Sequence, residues 1–202
     1  MQLDFTALPA NEAYRWLTAT VTPRPIAWVS TRSLAGVDNL APFSFFQVVA
    51  DAPPTLMVSI SRAPGGGEKD TLRNLRERPE MVVQLVSHAQ SEAMNLSAAG
   101  LPPEVSEFER FGIGALGSER VAPPRVAGAA VAFECVVSGI VPIPAEDPRN
   151  HVVFATVLLA HIDDAVLTDA RHVDPAKLDL IGRLGGPHYV RTRDLFQLKR
   201  PE

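Results

Sequence analysis

Three hydroxyl side chains and two cations flank a glycine-rich segment in the stretch SISRAPGGGEKDT, residues 59–71. The hydroxyls are those of Ser59, Ser61 and Thr71, the cations are Arg62 and Lys69, and the carboxylate Asp70 lies between Lys69 and Thr71. Glycine lets a backbone approach a ligand closely, and the free N–H groups at a helix start attract anions. This pattern can hold a phosphate. It equally fits a flexible hairpin turn with Asp70 or Thr71 capping the helix, and the carboxylates of Glu68 and Asp70 oppose an anion.

A second polar group stands at the entrance to an apolar run, in TPRPIAWVST at residues 22–31. Pro23 and Pro25 fix their own φ angles and favour extended backbone before them, so Arg24 lies on a stiff approach to a strand. An arginine in that position suits the rim of an anionic or polar ligand. On this stretch alone, a solvated arginine at an edge strand is the preferred interpretation.

Short elements separated by turn residues must position these groups. Period-two and short apolar segments predict strands at 26–31, 40–49, 55–61, 81–86, 130–141 and 151–162. Helical spacing predicts short helices at 11–18, 70–78 and 91–99, whereas 100–128 is loop-like. Sequential strands with hairpin-length links indicate antiparallel pairing. The sequence therefore predicts one mainly β domain over 1–202, closed as a barrel with a few peripheral helices.

Composition limits the classes of partner. The chain has 202 residues, is 46% hydrophobic and carries a formal net charge of −4, so no broad basic surface for nucleic acid is expected. The longest apolar runs have strand length, which predicts no membrane span. The N-terminus lacks the basic-then-apolar order of a signal peptide. A cytoplasmic protein is expected.

Several familiar motifs are absent or out of context. GIGALG at 112–117 matches G-x-G-x-x-G, but a polar stretch precedes it and Pro123-Pro124 follow, so we interpret it as a loop. The five histidines lack metal-binding spacing, and no G-x-S-x-G is present. Cys135, the single cysteine, lies in an apolar alternation and is expected to be inert core. No metal site is predicted.

Taken in order, the segments of the chain resemble one family. TPRPIAWVST, NLAPFSFF (39–46), DAPPTLMVSI (51–60), EKDTLRNL (68–75), MVVQLVS (81–87) and GRLGGPHYVR (182–191) follow one another as in the flavin reductase-like proteins. The resemblance implies an FMN-binding split β-barrel of Greek-key topology. It also implies a homodimer that binds FMN non-covalently at or near the subunit contact.

The resemblance further implies a set of cofactor-binding residues. The ring would lie along Asn39, Ala41, Pro42, Phe43 and Ser44, with Arg24 and Pro25 at the strand edge. The phosphate and ribityl end would meet Ser59, Ser61, Arg62, Lys69, Asp70 and Thr71. His188 either faces the nicotinamide side or packs within its loop.

The activity implied is that of an NAD(P)H:flavin oxidoreductase, in which NADH or NADPH delivers hydride to FMN. Because the cofactor carries the chemistry, no catalytic acid or base is predicted. A monooxygenase or another acceptor could receive the electrons. The alternative is a non-enzymatic, flavoredoxin-like FMN carrier.

Overall fold

The computed structural model describes residues 1–201; Glu202, the last residue of the predicted domain, lies outside the described residues. Its strands are β1 Arg24–Pro25, β2 Ala27–Arg32, β3 Asp38–Phe43, β4 Phe46–Asp51, β5 Pro54–Ser61, β6 Glu80–Leu85, β7 Ala115–Leu116, β8 Arg125–Val126, β9 Val131–Ile143, β10 Asn150–Ile162, β11 Ile181–Arg183 and β12 Tyr189–Arg191. Its helices are α1 Ala10–Thr20, α2 Asp70–Glu77, α3 Ser91–Leu96, α4 Glu107–Arg110 and α5 Pro175–Leu178.

The main sheet has seven antiparallel strands in the order β3-β2-β6-β9-β10-β5-β4. Its two edge strands, β3 and β4, are consecutive in sequence and only Ser44 and Phe45 separate them. The sheet must therefore curl until its edges approach each other. The N–H of Ser59 in β5 donates to the carbonyl of Phe45 at 2.8 Å beside this seam. The predicted mainly β, split-barrel architecture is confirmed.

One strand prediction was wrong in its extent. The sequence predicted a single strand over 40–49, whereas the structure ends β3 at Phe43 and begins β4 at Phe46. The two halves pair with different partners, β2 and β5. Local periodicity does not reveal this break, because both halves are apolar and the partners lie elsewhere in the chain.

Two hydrophobic clusters hold the fold. The barrel interior includes Val29, Phe43, Val58, Leu72, Val83, Cys135 and Val153. A second cluster packs outside the barrel wall and includes Ile26, Trp28, Leu40, Met94, Phe108 and Ile181. Trp28 is fully buried, and its Nε1 donates to Ser97 Oγ at 2.9 Å. This second cluster fixes α3 and α4 against β2 and β3.

The other predicted elements agree in place. Helices α1, α2 and α3 fall on the three predicted helical segments, although α3 ends at Leu96. The loop-like stretch 100–128 contains the short α4 and the β7–β8 pair. GIGALG is not a loop throughout, because its Ala115–Leu116 form β7, but no helix follows it, as its rejection as a dinucleotide-binding motif requires. Within the described residues, no helix has the length and apolar character that a membrane crossing requires.

A buried carboxylate joins the barrel to a loop. Glu134 in β9 is 0% exposed and accepts hydrogen bonds from the N–H groups of Glu119 and Arg120, at 2.9 and 2.6 Å. His161 Nε2 lies 2.6 Å from its Oε1. Burial raises the pKa of Glu134, but these hydrogen bonds outweigh burial and leave the pKa below its ordinary value. The charged form is therefore the one that the fold stabilises.

Candidate functional site

Three adjoining cavities lie along the outer edge of β3, with Pro42 in the wall of all of them. Their volumes are about 490, 250 and 270 Å³. The largest reaches the start of α2, and the two smaller ones lie around Phe43 and Ser44 at the seam. We call the three together the groove. It is open, elongated and bounded by both a strand edge and a helix start.

The start of α2 supplies unpaired donors to the groove. The residue before the helix, Lys69, has extended backbone, and its side chain makes no capping hydrogen bond. The first N–H groups of α2 are therefore not capped by this side chain. Lys69 Nζ lies 5.3 Å from the centre of the Phe43 ring. Burial lowers the pKa of Lys69. Asp70 forms an ion pair with Arg73 on the same helix, which reduces its opposition to an anion.

A buried amide and hydroxyl network fixes α2 against the barrel. Asn39 Nδ2 donates to Thr71 Oγ1 at 3.0 Å and approaches Thr31 Oγ1 at 3.4 Å. Asn74 Nδ2 donates to the same Thr31 oxygen at 3.1 Å. Thr71 is 1% exposed, lines the largest cavity and accepts a hydrogen bond from Asn39. Its own hydroxyl proton can therefore be donated to a ligand.

Half of the backbone groups of β3 face away from its strand partner, β2. Among residues 1–201, β3 pairs with no other strand, so its outer edge is free within this part of the chain. The N–H of Leu40 points outward and donates to Glu107 Oε2 at 2.8 Å. Pro42 shares the parity of Leu40 and has no N–H. The outward carbonyl groups of this edge can accept hydrogen bonds from a planar ligand.

Glu107 is the most buried of the three acidic residues that line the largest cavity, the others being Glu68 and Asp70. It is 5% exposed and lines this cavity together with Lys69 and Thr71. Burial raises the pKa of this carboxyl, the N–H of Leu40 lowers it and the charge of Asp70 raises it, with a net rise. The local charge of the groove is thus mixed, with cations at the helix start and an acid against β3.

The structure brings most of the predicted site residues together. The groove is lined by Asn39, Ala41, Pro42, Phe43, Ser44, Ser59, Ser61, Lys69, Asp70 and Thr71. Ser59 Oγ accepts a hydrogen bond from Asn150 Nδ2 at 3.2 Å, which fixes β5 to β10 at this point. The segments predicted to bind the phosphate and the ring thus share one surface.

Arg24, Pro25 and Arg62 lie elsewhere. The Arg24 guanidinium is buried and donates to the carbonyls of Thr18 and Val21 at 2.6 and 2.8 Å, so it caps the end of α1. Pro25 pairs with Gly182 in a small separate sheet. Arg62 forms an ion pair with Asp147 and lines a different cavity of about 360 Å³.

Sequence reasoning missed several groove residues. Tyr14 from α1 and Phe45 from the seam stand with ring centres 6.3 Å apart. Asn150, Arg183 and Glu107 also line the groove. No local signal marks them, because each reaches the groove from a distant element. His188 is exposed in the turn between β11 and β12 and lines none of the three cavities.

A curled antiparallel barrel whose edge strands meet at an open seam defines a split-barrel protein. The model of the flavin reductase like domain matches residues 19–175, and the chain belongs to that family.

Solved structures agree with this assignment. Nitrilotriacetate monooxygenase component B from Bacillus cereus is 31% identical, with a TM-score of 0.92 and coverage of 98% of both chains. The 2-nitrobenzoate 2-nitroreductase of Pseudomonas fluorescens is 29% identical, with a TM-score of 0.89 and coverage of 100% of this chain and 96% of that chain. A split-barrel protein from Shewanella frigidimarina, assigned as a flavin reductase, shares the fold over 100% of both chains at 15% identity, with a TM-score of 0.83.

Proposed function

We propose that this protein binds FMN in the groove and reduces it with NADH or NADPH. The observation that carries the proposal is the meeting of an uncapped helix start, Lys69 and the Thr71 hydroxyl with the free edge of β3. A doubly charged phosphate needs donors and a cation, and a flavin ring needs hydrogen-bonding groups at its polar edge. The groove offers both within one surface.

The residues of the groove would hold the two ends of the cofactor differently. Lys69, Thr71 and the first N–H groups of α2 would bind the phosphate, while the outward groups of β3 from Asn39 to Ser44 would align the ring. Pro42 and Phe43 would shape the apolar wall beneath the ring. When bound, FMN would supply the redox chemistry as the acceptor of the hydride from the nicotinamide. The protein contributes orientation and electrostatics.

A second copy of the chain would complete the groove. Along the outer face of the sheet, Val141 and Val152 lie in register with Ser59, and Ile143 and Asn150 lie in register with Ser61. Val141 and Ile143 are 47% and 51% exposed. An exposed apolar face that continues directly into the groove supports a homodimer with its flavin sites beside the contact.

The similarity to a component of nitrilotriacetate monooxygenase supports a further part of the proposal. Reduced flavin would either diffuse from this protein to a separate monooxygenase or transfer its electrons to another acceptor, in both cases in the cytoplasm. A non-enzymatic FMN carrier, the alternative that the sequence left open, would use the same groove but would bind no nicotinamide.

One experiment separates these outcomes. The purified protein is examined by visible absorption and then mixed anaerobically with FMN and with NADH or NADPH in turn. A reductase binds FMN and oxidises at least one nicotinamide rapidly while the flavin absorbance is lost. A bound flavin that neither nicotinamide bleaches would identify the carrier. Protein that neither carries nor takes up FMN would refute the proposal altogether.

A further inference from the structure

Glu107 is a buried acid in a cavity that is also lined by Lys69, Arg73 and Thr71. It is the first residue of α4, it is 5% exposed, and it lines the cavity together with the less buried acids Glu68 and Asp70. The ion pairs found in residues 1–201 do not include it. A buried carboxyl without a cationic partner is costly and needs a reason.

Part of the reason is structural. Oε2 of Glu107 accepts the hydrogen bond from the N–H of Leu40, on the free edge of β3. That donor stands between Asn39 and Ala41, and both of these residues line the same cavity. The N–H of Leu40 is the sole donor that residues 1–201 direct to this carboxyl beyond its own residue. A carboxyl group can accept more than these hydrogen bonds, so it can also accept one from a molecule in the cavity that Glu107 lines.

The chemistry of this carboxyl determines which ligand group it can bind. An ionised carboxylate repels a phosphate, and a protonated one gains nothing from a cation. A hydroxyl can donate to the ionised form and can accept from the protonated form, so it suits both. Because burial raises the pKa of Glu107, a partner that tolerates both forms is the fitting one.

We infer that Glu107 recognises a hydroxyl of the polyol chain that joins the flavin ring to its phosphate. This inference rests on the proposed binding of FMN. It adds a residue that recognises the ribityl part of the cofactor, which lies between the ring and the phosphate. Lys69 and Thr71 bind the phosphate at the helix start, and the edge of β3 binds the ring. Glu107 lines the cavity that contains both the helix start and this strand edge. Glu107 thereby favours flavins that carry the ribityl chain over those that lack it.

The test compares riboflavin, which has the ribityl chain but no phosphate, with lumiflavin, which has only the ring. Dissociation constants are measured for the wild-type protein, for Glu107→Leu and for Glu109→Leu, a control on the exposed side of the same helix. Glu107→Leu should weaken riboflavin about tenfold, the value of one hydrogen bond to a charged or polar group. The dissociation constant of lumiflavin should change by less than about twofold, because lumiflavin has no ribityl hydroxyl to lose this hydrogen bond.

Equal losses for both ligands would overturn the inference, because they would mean that Glu107 only supports β3. Unchanged riboflavin affinity would overturn it as well. If Glu107→Leu does not fold, the wild-type protein provides the second measurement, with riboflavin analogues that each lack one ribityl hydroxyl. One analogue should lose about tenfold in affinity, and an unaffected series would refute the assignment. A wild-type protein that binds neither riboflavin nor FMN would instead refute the proposed function itself.

Discussion

Replacement of Lys69 by methionine tests the phosphate end of the groove. Methionine keeps the length and the apolar stem of lysine, so the packing over Phe43 is largely preserved while the charge is removed. A hydrogen bond from a charged donor contributes about 1.5–3 kcal/mol. Loss of that contact corresponds to an increase in the dissociation constant for FMN of about tenfold to 150-fold.

The same substitution should leave riboflavin nearly unaffected, because riboflavin has no phosphate. The dissociation constants are measured by quenching of flavin fluorescence at fixed ionic strength, since salt screens this contact. Lys177→Ala is the matched control: this lysine lines none of the three cavities and donates to the carbonyl of Leu167. Similar losses for riboflavin and FMN, or no loss for FMN, would contradict the phosphate assignment.

The pH dependence of binding supplies a second measurement on Lys69. Because burial lowers the pKa of this amine, it loses its proton at a lower pH than an exposed lysine. FMN affinity of the wild-type protein should therefore fall as the pH is raised into the alkaline range. The Lys69→Met protein should lack this alkaline loss.

Three further predictions concern the rest of the fold. The pKa of Glu134 is lowered in the folded state, so its contribution to stability is complete above the pKa of the unfolded chain and is lost as the pH falls through the folded value. Glu134→Ala should lower the free energy of unfolding by about 3 kcal/mol in neutral buffer, measured by urea denaturation, and a change below about 1 kcal/mol would contradict its role. Burial raises the pKa of the Cys135 thiol to about 12, so a thiol reagent should label it only in denaturant; rapid labelling of native protein would count against this burial. For the proposed homodimer, Val141→Asp should shift the protein from dimer to monomer in sedimentation and weaken FMN binding, whereas an unchanged dimer would place the subunit contact elsewhere.

The sequence predicted those parts of the site that depend on local pattern. The helical spacing after Lys69 and the run from Asn39 to Ser44 are each continuous in sequence, and the structure places both in the groove. Their meeting depends on the curl of the sheet, which the family resemblance implied. Local periodicity alone would not have joined them.

The positions of the residues outside the groove, and of the groove residues that the sequence did not indicate, depend on long-range contacts. The sequence alone favoured a solvated Arg24, which is wrong, because the structure buries its guanidinium against carbonyls of α1 and that of Leu184, 160 positions away at 3.1 Å. Glu107 stands in the polar stretch SEFER, typical of a solvated helix, yet it is buried, and Phe108 beside it packs in the outer cluster. A single sequence shows neither relation.

The free edge of β3 also bears on self-association. An unpaired strand edge is a template on which foreign chains can add and start aggregates. Here Pro42 removes one outward donor and Glu107 occupies another, so an incoming strand would find its ladder interrupted at two alternate positions. The features that leave room for a small planar molecule therefore also protect the barrel from a polypeptide that would seal the same gap.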